Sequence, residues 1–468
     1  MKRDIWRPEF HAAPEQGWMN DPNGFCYWDG KYHLFFQYNP KAPEWGNIHW
    51  GHLVSRNLVN WRQLSPALAP GKDYDCGGVF SGSALVKDDK LFLFYTGVAE
   101  GGCQTQDMAA ASTNGRFVKY RGNPVIEAPA CCKADGSHFR DPYVWAYKNH
   151  YYMLVGAQKR DTADGEVLLY RSDDLYDWEF INVAASTSGG EWGYMWECPN
   201  YVRLGEEEYL IFSPQGVSAD GSRFQNKYQA GYLRGTMNYS RGVFEHDGNF
   251  IELDGGFDFY APQAREMPDG RVIMTAWMGM WESPFPEQAE GWAGMMSFPR
   301  EIWSEGGKIR QRPVRELEER RGKKQVLGLR KIVGEKRVLK PRGDVYELNL
   351  LLDMSGAAAV TLFLRGSEEE ATILSYDRAG GILKLNRDRS GAGAEGERQT
   401  ALTLGEDNLL DLTVLADRSS VEIFAGDGEA VMSARIYPQP GSQGLSVSSV
   451  GDVTIVEGSF YSLASFSR

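Results

Sequence analysis

A chain of 468 residues, 42% hydrophobic and 13% aromatic, is too long for one ordinary core and apolar enough to bury a large one, so two domains are expected. Its formal net charge of −13 speaks against nucleic acid or an anionic membrane surface as partner, because both need clustered Lys and Arg. No apolar run reaches bilayer length; the longest, near Ala357–Leu364, has the size of a strand.

The first residues, Met1 to Pro8, lead into no apolar run of the kind a secretory leader carries. Six cysteines follow: Cys26, Cys76, Cys103, Cys131, Cys132 and Cys198. None forms a CxxC pair and no histidine stands at zinc-finger spacing, so neither disulfides nor a metal site are indicated, and free thiols in a reducing cytoplasm are expected. An exported protein stripped of its leader would read the same way.

Short β-rich runs bounded by Gly, Asp, Asn and Pro fill the first 300 residues. Five polar turns each precede an aromatic or aliphatic run. Asp29-Gly30 stands before Tyr32–Phe36, Asp89-Lys90 before Leu91–Tyr95, and Asn149-His150 before Tyr151–Val155. Glu207-Glu208 precedes Tyr209–Phe212, and Asp269-Gly270 precedes Arg271–Met274. The turns recur about every 60 residues, and Leu58-Val59-Asn60-Trp61 is echoed by Leu175-Tyr176-Asp177-Trp178. Five all-β units of this size predict a five-bladed β-propeller over residues 1–310, each blade burying its faces against its neighbours. Five unrelated hairpins of a large sandwich are the alternative, and the even spacing favours the propeller.

The segment before each turn is then the innermost strand, beside the central channel. Nine residues back from Gly30, Lys90 and His150 stand Asp21, Ser81 and Asp141, at intervals of 60 residues. The same place in the fourth unit falls at about Glu197, and in the fifth near Tyr260-Ala261. Radial symmetry would gather these acids on one axis.

Residues 311–342 are strongly charged and read as a linker with a short helix around Glu316–Arg321. From 343 to 468 strand patterns return, as in Val345–Leu352, Leu410–Leu415 and Ser420–Phe424, with a hairpin turn at Asp427-Gly428. A β-sandwich is expected there.

Three acids at one hub suit glycosidic cleavage, which needs one ionised carboxylate and one carboxylic acid. Asp21, among the amides of Asn20 and Asn23, suits the ionised nucleophile. Glu197, between Trp196 and Cys198-Pro199, should have its pKa raised by apolar neighbours and serve as the acid. Asp141 could bind sugar hydroxyls, favour positive charge in the transition state and help keep Glu197 protonated, while Arg140 offsets the crowding. A separation of about 5–5.5 Å between the working pair means retention, and about 6.5–9.5 Å inversion. Alone, each Asp-Pro is an ordinary turn signal; their common register across the repeat is what singles them out.

At these residues the chain resembles glycoside hydrolase family 32, the invertases, sucrose-6-phosphate hydrolases, inulinases and levanases. The resemblance rests on Trp18-Met19-Asn20-Asp21-Pro22-Asn23-Gly24, Phe80-Ser81-Gly82-Ser83, Phe139-Arg140-Asp141-Pro142, Trp196-Glu197-Cys198-Pro199 and Gly256–Gln263, with Asp417–Phe424 in the C-terminal half. It implies an all-β fold, a five-bladed propeller followed by a sandwich. It implies Asp21 as nucleophile at the fructosyl C2, Glu197 as acid/base and Asp141 as transition-state stabiliser. It further implies a fructose pocket of Asn20, Gln37, Trp45, Phe80, Ser81, Arg140, Tyr260 and Trp281, with no metal or cofactor. The seven histidines show no metal spacing and are expected to be structural or on the surface.

The expected reaction is hydrolysis of sucrose or sucrose 6-phosphate by double displacement. Exo-hydrolysis of inulin or levan is the alternative, as is fructosyl transfer to a sugar acceptor. A sugar-binding protein without catalysis is disfavoured because all three acids are present. No cation for a substrate phosphate is identifiable in the sequence, and the sandwich is expected to fix orientation rather than bind sugar.

Overall fold

The computed structural model describes residues 4–112, 115–129, 136–162, 164–328 and 330–463; Cys131 and Cys132, expected as free thiols, lie outside the described residues. Five antiparallel sheets follow one another. They run from Gly17–Trp28 to Arg62–Leu68, from Gly78–Lys87 to Phe117–Lys119, and from Phe139–Tyr147 to Glu179–Ser186. The fourth spans Met195–Leu204 to Val243–His246, and the fifth Tyr260–Glu266 to Lys308–Pro313. The first strand of each sheet touches the first strands of its two neighbours in cyclic order, so the sheets are blades around one axis. The ring is tied shut where Trp292-Ala293 adds a parallel strand to Gly17-Trp18 of the first blade.

Apolar clusters lie between blades, as a propeller requires. One joins Phe92 and Phe94 of blade two to Phe139, Val144 and Met153 of blade three. The next joins Leu154 and Leu169 to Trp196 and Phe212 of blade four. Trp196 is fully buried and stacks on Phe212 with ring centroids 4.0 Å apart.

The hairpin tips fall at residues 29–30, 88–89, 148–149 and 205–206, so in blades two to four they come one or two residues earlier than expected. The reason is local. Asp88 and Asp89 both adopt left-handed φ (48° and 57°), which short polar side chains tolerate, and Gly205 (φ 66°) does so at no steric cost.

A bulge interrupts every inner strand at the same height. Register slips between Asn20 and Pro22, Phe80 and Gly82, Arg140 and Tyr143, Glu197 and Asn200, and Tyr260 and Gln263. The bulged residues are Asp21, Ser81, Asp141, Cys198 and Ala261; Asp141, Cys198 and Ala261 have φ of 68°, 48° and 50°. The next residue is Pro in four blades, which can stand here because a bulge asks no ladder hydrogen bond of it. Blade two has Gly82, where a Cβ would lie 2.0 Å from the Phe94 carbonyl oxygen. The fourth-blade counterpart of Asp21 and Asp141 is therefore Cys198. Glu197 stands one position earlier, level with Asn20, Phe80, Arg140 and Tyr260, and the expected alignment is corrected by one residue.

Beyond Pro313 the chain makes a 3-10 turn at Arg315–Arg320, near the expected helix. The segment expected as a linker is instead built into both neighbours. Residues up to Pro313 complete blade five, while Gln325-Val326, Arg330–Val333 and Arg337-Val338 pair with the long final strand Gly444–Ser462. Strand Tyr346–Gly366 pairs with Leu409–Asp417 along its first half and Ala371–Asp377 along its second, which gives a sandwich-like arrangement around a single apolar core.

Buried ion pairs fasten this C-terminal unit to the propeller. Arg300 of blade five bonds Glu422 at 2.5 Å and Asp254 at 3.1 Å, all three fully buried side chains. His11 bridges Asp417 and Glu422 at 2.9 and 2.8 Å, and Asp258 holds Arg387 and Arg435. Charges taken out of water persist only when paired in this way. No helix among the described residues is long and apolar enough to cross a membrane.

Candidate active site

The five bulges tip side chains from different blades into one cavity of about 410 Å³ at the end of the channel. Asn20, Asp21, Gln37, Trp45, Phe80, Arg140, Asp141, Glu197, Tyr260 and Trp281 all line it. Of the residues expected in the site only Ser81 is absent from this wall. It acts from behind, donating to Asp21 Oδ2 at 2.8 Å and accepting a short bond from Gln37 Nε2.

Asp21 also accepts Asn20 Nδ2 at 3.0 Å on its other oxygen, and Gln37 Nε2 lies 3.4 Å from Oδ2. Burial, and then the charge of Glu197, push its pKa up to about 6, against the pull of the Asn20 and Ser81 hydrogen bonds. Asp141 accepts the Cys198 backbone N–H at 2.9 Å, while its own N–H donates to Thr96 Oγ1 at 2.8 Å. Burial raises Asp141 to about 7; Arg140 opposes this and Glu197 adds to it. The Cys198 thiol reaches both aspartates, with Sγ 3.6 Å from Asp141 Oδ2 and 3.9 Å from Asp21 Oδ2.

Glu197 departs from expectation. Its apolar neighbours do bury it, which alone would raise its pKa, but the net shift is downward. Arg140 grips Oε1 through Nε at 3.0 Å and Nη2 at 2.8 Å, and the Tyr260 hydroxyl donates a short bond to Oε2. Without substrate the cation beside it therefore holds Glu197 ionised, and the raised pKa values fall on the two aspartates. The carboxylates still form one strongly interacting cluster, whose protons belong to the set.

Aromatic side chains build one wall. Trp45, 50% exposed, meets Phe80 edge-on at 6.0 Å and Trp281 at 6.3 Å, and Trp281 lies nearly parallel to Trp18 at 6.1 Å. Such flat apolar faces beside carboxylates and amides match the two-sided surface of a sugar ring.

Several lining residues escaped the sequence reading: Gln104, Ser137, His138, Gln215 and Tyr228. His138 was expected to be structural or on the surface, yet it lines the cavity with Nδ1 3.2 Å from Arg140 Nη1. Its position two residues before Arg140 was the available signal. Gln104 Oε1 accepts both the Phe139 N–H at 2.9 Å and Arg140 Nη1 at 3.3 Å, and nothing local in Gln104-Thr105-Gln106 marks it. Beside Tyr228 and Trp281 the side chains of Lys227 and Glu282 form an exposed ion pair, 2.6 Å from Nζ to Oε2. Among the described residues no group of three or more His, Cys, Asp or Glu side chains could hold a metal ion.

Comparison with known proteins agrees over the whole length. Residues 11–313 match the N-terminal domain of glycosyl hydrolases family 32, and residues 313–462 match that family's C-terminal domain. A raffinose invertase of Escherichia coli is 40% identical, with 98% of this chain and 96% of the relative covered. A sucrose-6-phosphate hydrolase of Escherichia coli is likewise 40% identical, covering 96% and 93%. Among solved structures, a β-fructofuranosidase mutant of Bombyx mori in complex with sucrose is 35% identical, covers 99% of this chain and 95% of its own, and superimposes with a TM-score of 0.86.

Proposed function

The chain belongs to glycosyl hydrolase family 32, and from that premise we propose a retaining β-fructofuranosidase that hydrolyses sucrose or sucrose 6-phosphate by double displacement at the fructosyl C2. The observation that carries the reading is the meeting of Asp21, Asp141 and Glu197, from three blades, in one aromatic-walled cavity.

Asp21 is the nucleophile. Asn20 and Ser81 donate to its two oxygens, which favours the ionised form and aims the carboxylate. Glu197 protonates the departing oxygen and then, as base, activates the water that releases fructose. To act as acid it must gain a proton, which the free site holds more readily on Asp141 than on Glu197 or the nucleophile. Sugar hydroxyls that draw Arg140 and Tyr260 away from Glu197 would raise its affinity for that proton as the substrate settles. Asp141, anchored by the Cys198 N–H, accepts from sugar hydroxyls and offsets the positive charge that develops at the anomeric carbon.

The aromatic set Trp45, Phe80 and Trp281 supports stacking on the sugar, and the four described cysteines, all free, support a reducing, cytoplasmic setting. The test is a panel of sucrose, sucrose 6-phosphate, raffinose, inulin and levan, with the anomer of newly released fructose followed by NMR. Release of β-fructofuranose from sucrose or its phosphate is expected. Inversion, or no fructose from any of the five, sinks the proposal. Transfer products at high sucrose, or a preference for the polymers, would move the reading to a transferase or a fructan exo-hydrolase.

A further inference from the structure

We propose that the C-terminal unit contributes positioning residues to the catalytic centre: Arg435, fixed by Asp258, holds Phe285 against Trp18, and Trp18 sets the asparagine that orients the Asp21 carboxylate. The inference rests on the assignment of Asp21 as nucleophile.

Each link is a direct contact. Arg435 lies in strand Ala430–Arg435 of the C-terminal unit, with its backbone N–H and Nε bonded to Asp258 at 2.9 and 3.1 Å. Its guanidinium carbon sits 3.9 Å from the centroid of Phe285, and Nη1 donates to the Pro284 carbonyl at 3.3 Å. Phe285 meets Trp18 edge-on with centroids 4.8 Å apart, and it lies parallel to Trp277 at 6.0 Å. The Trp18 indole Nε1 donates to Asn20 Oδ1 at 2.7 Å. Because that oxygen is occupied, the Asn20 amide is fixed with Nδ2 toward Asp21 Oδ1, at 3.0 Å.

Every member is buried, so none can swing aside into water. Trp18 is 4% exposed, Phe285 7%, Asn20 1% and Arg435 2%. Packed interiors transmit displacement because they hold few voids, and loss of ångström-scale alignment at a nucleophile costs rate. Asp258 also bonds Arg387, so the support has two feet in the C-terminal unit.

The chain of contacts predicts how a distant change is felt. Loosening Phe285 frees Trp18, weakens the Asn20 bond to the ionised Asp21 and so makes protonation of Asp21 easier. The acid limb of the pH profile then moves to higher pH, with no change in any group that touches substrate. A purely structural role would lower thermal stability and leave the profile where it was.

Phe285→Leu tests this without leaving a buried charge unpaired, and Arg435→Lys, which keeps a cation for Asp258, is the second variant. For each, kcat and KM on sucrose are measured from pH 4 to 8 alongside the melting temperature. Phe285→Leu is expected to lower kcat about tenfold with KM within about twofold, and to raise the acid limb by about half a pH unit. Arg435→Lys should move both in the same direction by less. In a Trp18→Phe background, which removes the indole N–H, Phe285→Leu should add less than about twofold, because both changes break the same chain. Unchanged profiles with a lowered melting temperature, or losses that multiply in the double variant, overturn the proposal. If the parent protein releases no fructose from any fructoside, it is the functional reading that fails. The positioning claim is then decided by titrating Asp21 directly by carboxyl carbon NMR in parent and Phe285→Leu, with Asp21→Asn identifying the signal; an equal midpoint overturns it.

Discussion

Arg140 and Glu197 come from adjacent blades, and the guanidinium bonds one carboxylate oxygen twice, at 3.0 and 2.8 Å. The side chains are nearly buried, so the charge of one sets the protonation of the other with little screening. Arg140→Gln removes the cation that holds Glu197 below its ordinary range. The alkaline limb of kcat, which reports the acid in the substrate complex, should move to higher pH while kcat/KM falls by roughly a hundredfold. A pH–rate series on sucrose checks this, and an unmoved alkaline limb disconnects Arg140 from the acid.

The two carboxylates proposed as nucleophile and acid/base are separable by rescue. Asp21→Ala and Glu197→Ala should each lose roughly 10²–10⁴-fold in turnover while keeping a parental melting temperature within a few degrees. On a fructoside whose leaving group needs no protonation, azide should restore part of the activity of Glu197→Ala by replacing the water that the missing base no longer activates. It should do nothing for Asp21→Ala on sucrose. Near-normal cleavage by either variant removes its assignment.

Asp21 titrates at about 6 in the free site, so the acid limb of kcat/KM should lie in that region. Ser81 favours the charged form through its 2.8 Å bond. In Ser81→Ala that support is gone, the pKa rises and the acid limb moves up, with activity lost first below pH 7. A limb that stays in place in Ser81→Ala would falsify the role given to this serine.

The junction between propeller and C-terminal unit depends on paired buried charge. Arg300→Met leaves Asp254 without its cation and Glu422 with His11 alone, and the expected cost is about 3–5 kcal/mol in denaturant unfolding. A loss under about 1 kcal/mol would mean that the pair is solvated or compensated.

Histidines set opposite edges of the stability profile. Burial would lower the pKa of His11, but Asp417 and Glu422 overcome it and raise the group to about 9. Its contribution is complete below the unfolded value near 6.5 and is lost as pH climbs from there to about 9. Burial lowers His33 to about 4 and His52 to about 3, and the two rings share a 2.9 Å hydrogen bond. Below about pH 6.5 the unfolded chain binds protons that these rings refuse, so the pair's own contribution falls as the pH drops from 6.5 toward 4, against the buried carboxyls Asp21 and Asp141, which gain protons on folding in the same window. The melting temperature of the parent should decline as the pH climbs above 6.5, and His11→Gln should flatten that alkaline decline. An unchanged alkaline slope in that variant refutes the assignment.

Much of this was legible along the chain. Sixty-residue spacing, paired turn residues and Asp-Pro or Glu-Cys-Pro at the inner strands are local features, because a bulge and a hairpin are each made by a few consecutive residues. The turns were misplaced by a residue or two in three blades, since Asp, Lys and Asn at neighbouring positions offer a tight turn more than one place to form. The acids that meet in the cavity stood out along the chain, but their protonation pattern did not. Apolar neighbours in sequence said that Glu197 is buried, and only the fold says that a guanidinium from another blade is buried with it.

Sequence alone determined the repeat, the all-β class and the acids at its hub, because side-chain alternation and turn chemistry are written over short stretches. Tertiary structure decided which residues meet across the repeat: Arg140 with Glu197, Cys198 with two aspartates, Arg435 with Phe285 and, through it, Asn20. Burial and Coulomb interaction act through space, and the distances that control them are set by how five blades and a sixth body close on one another.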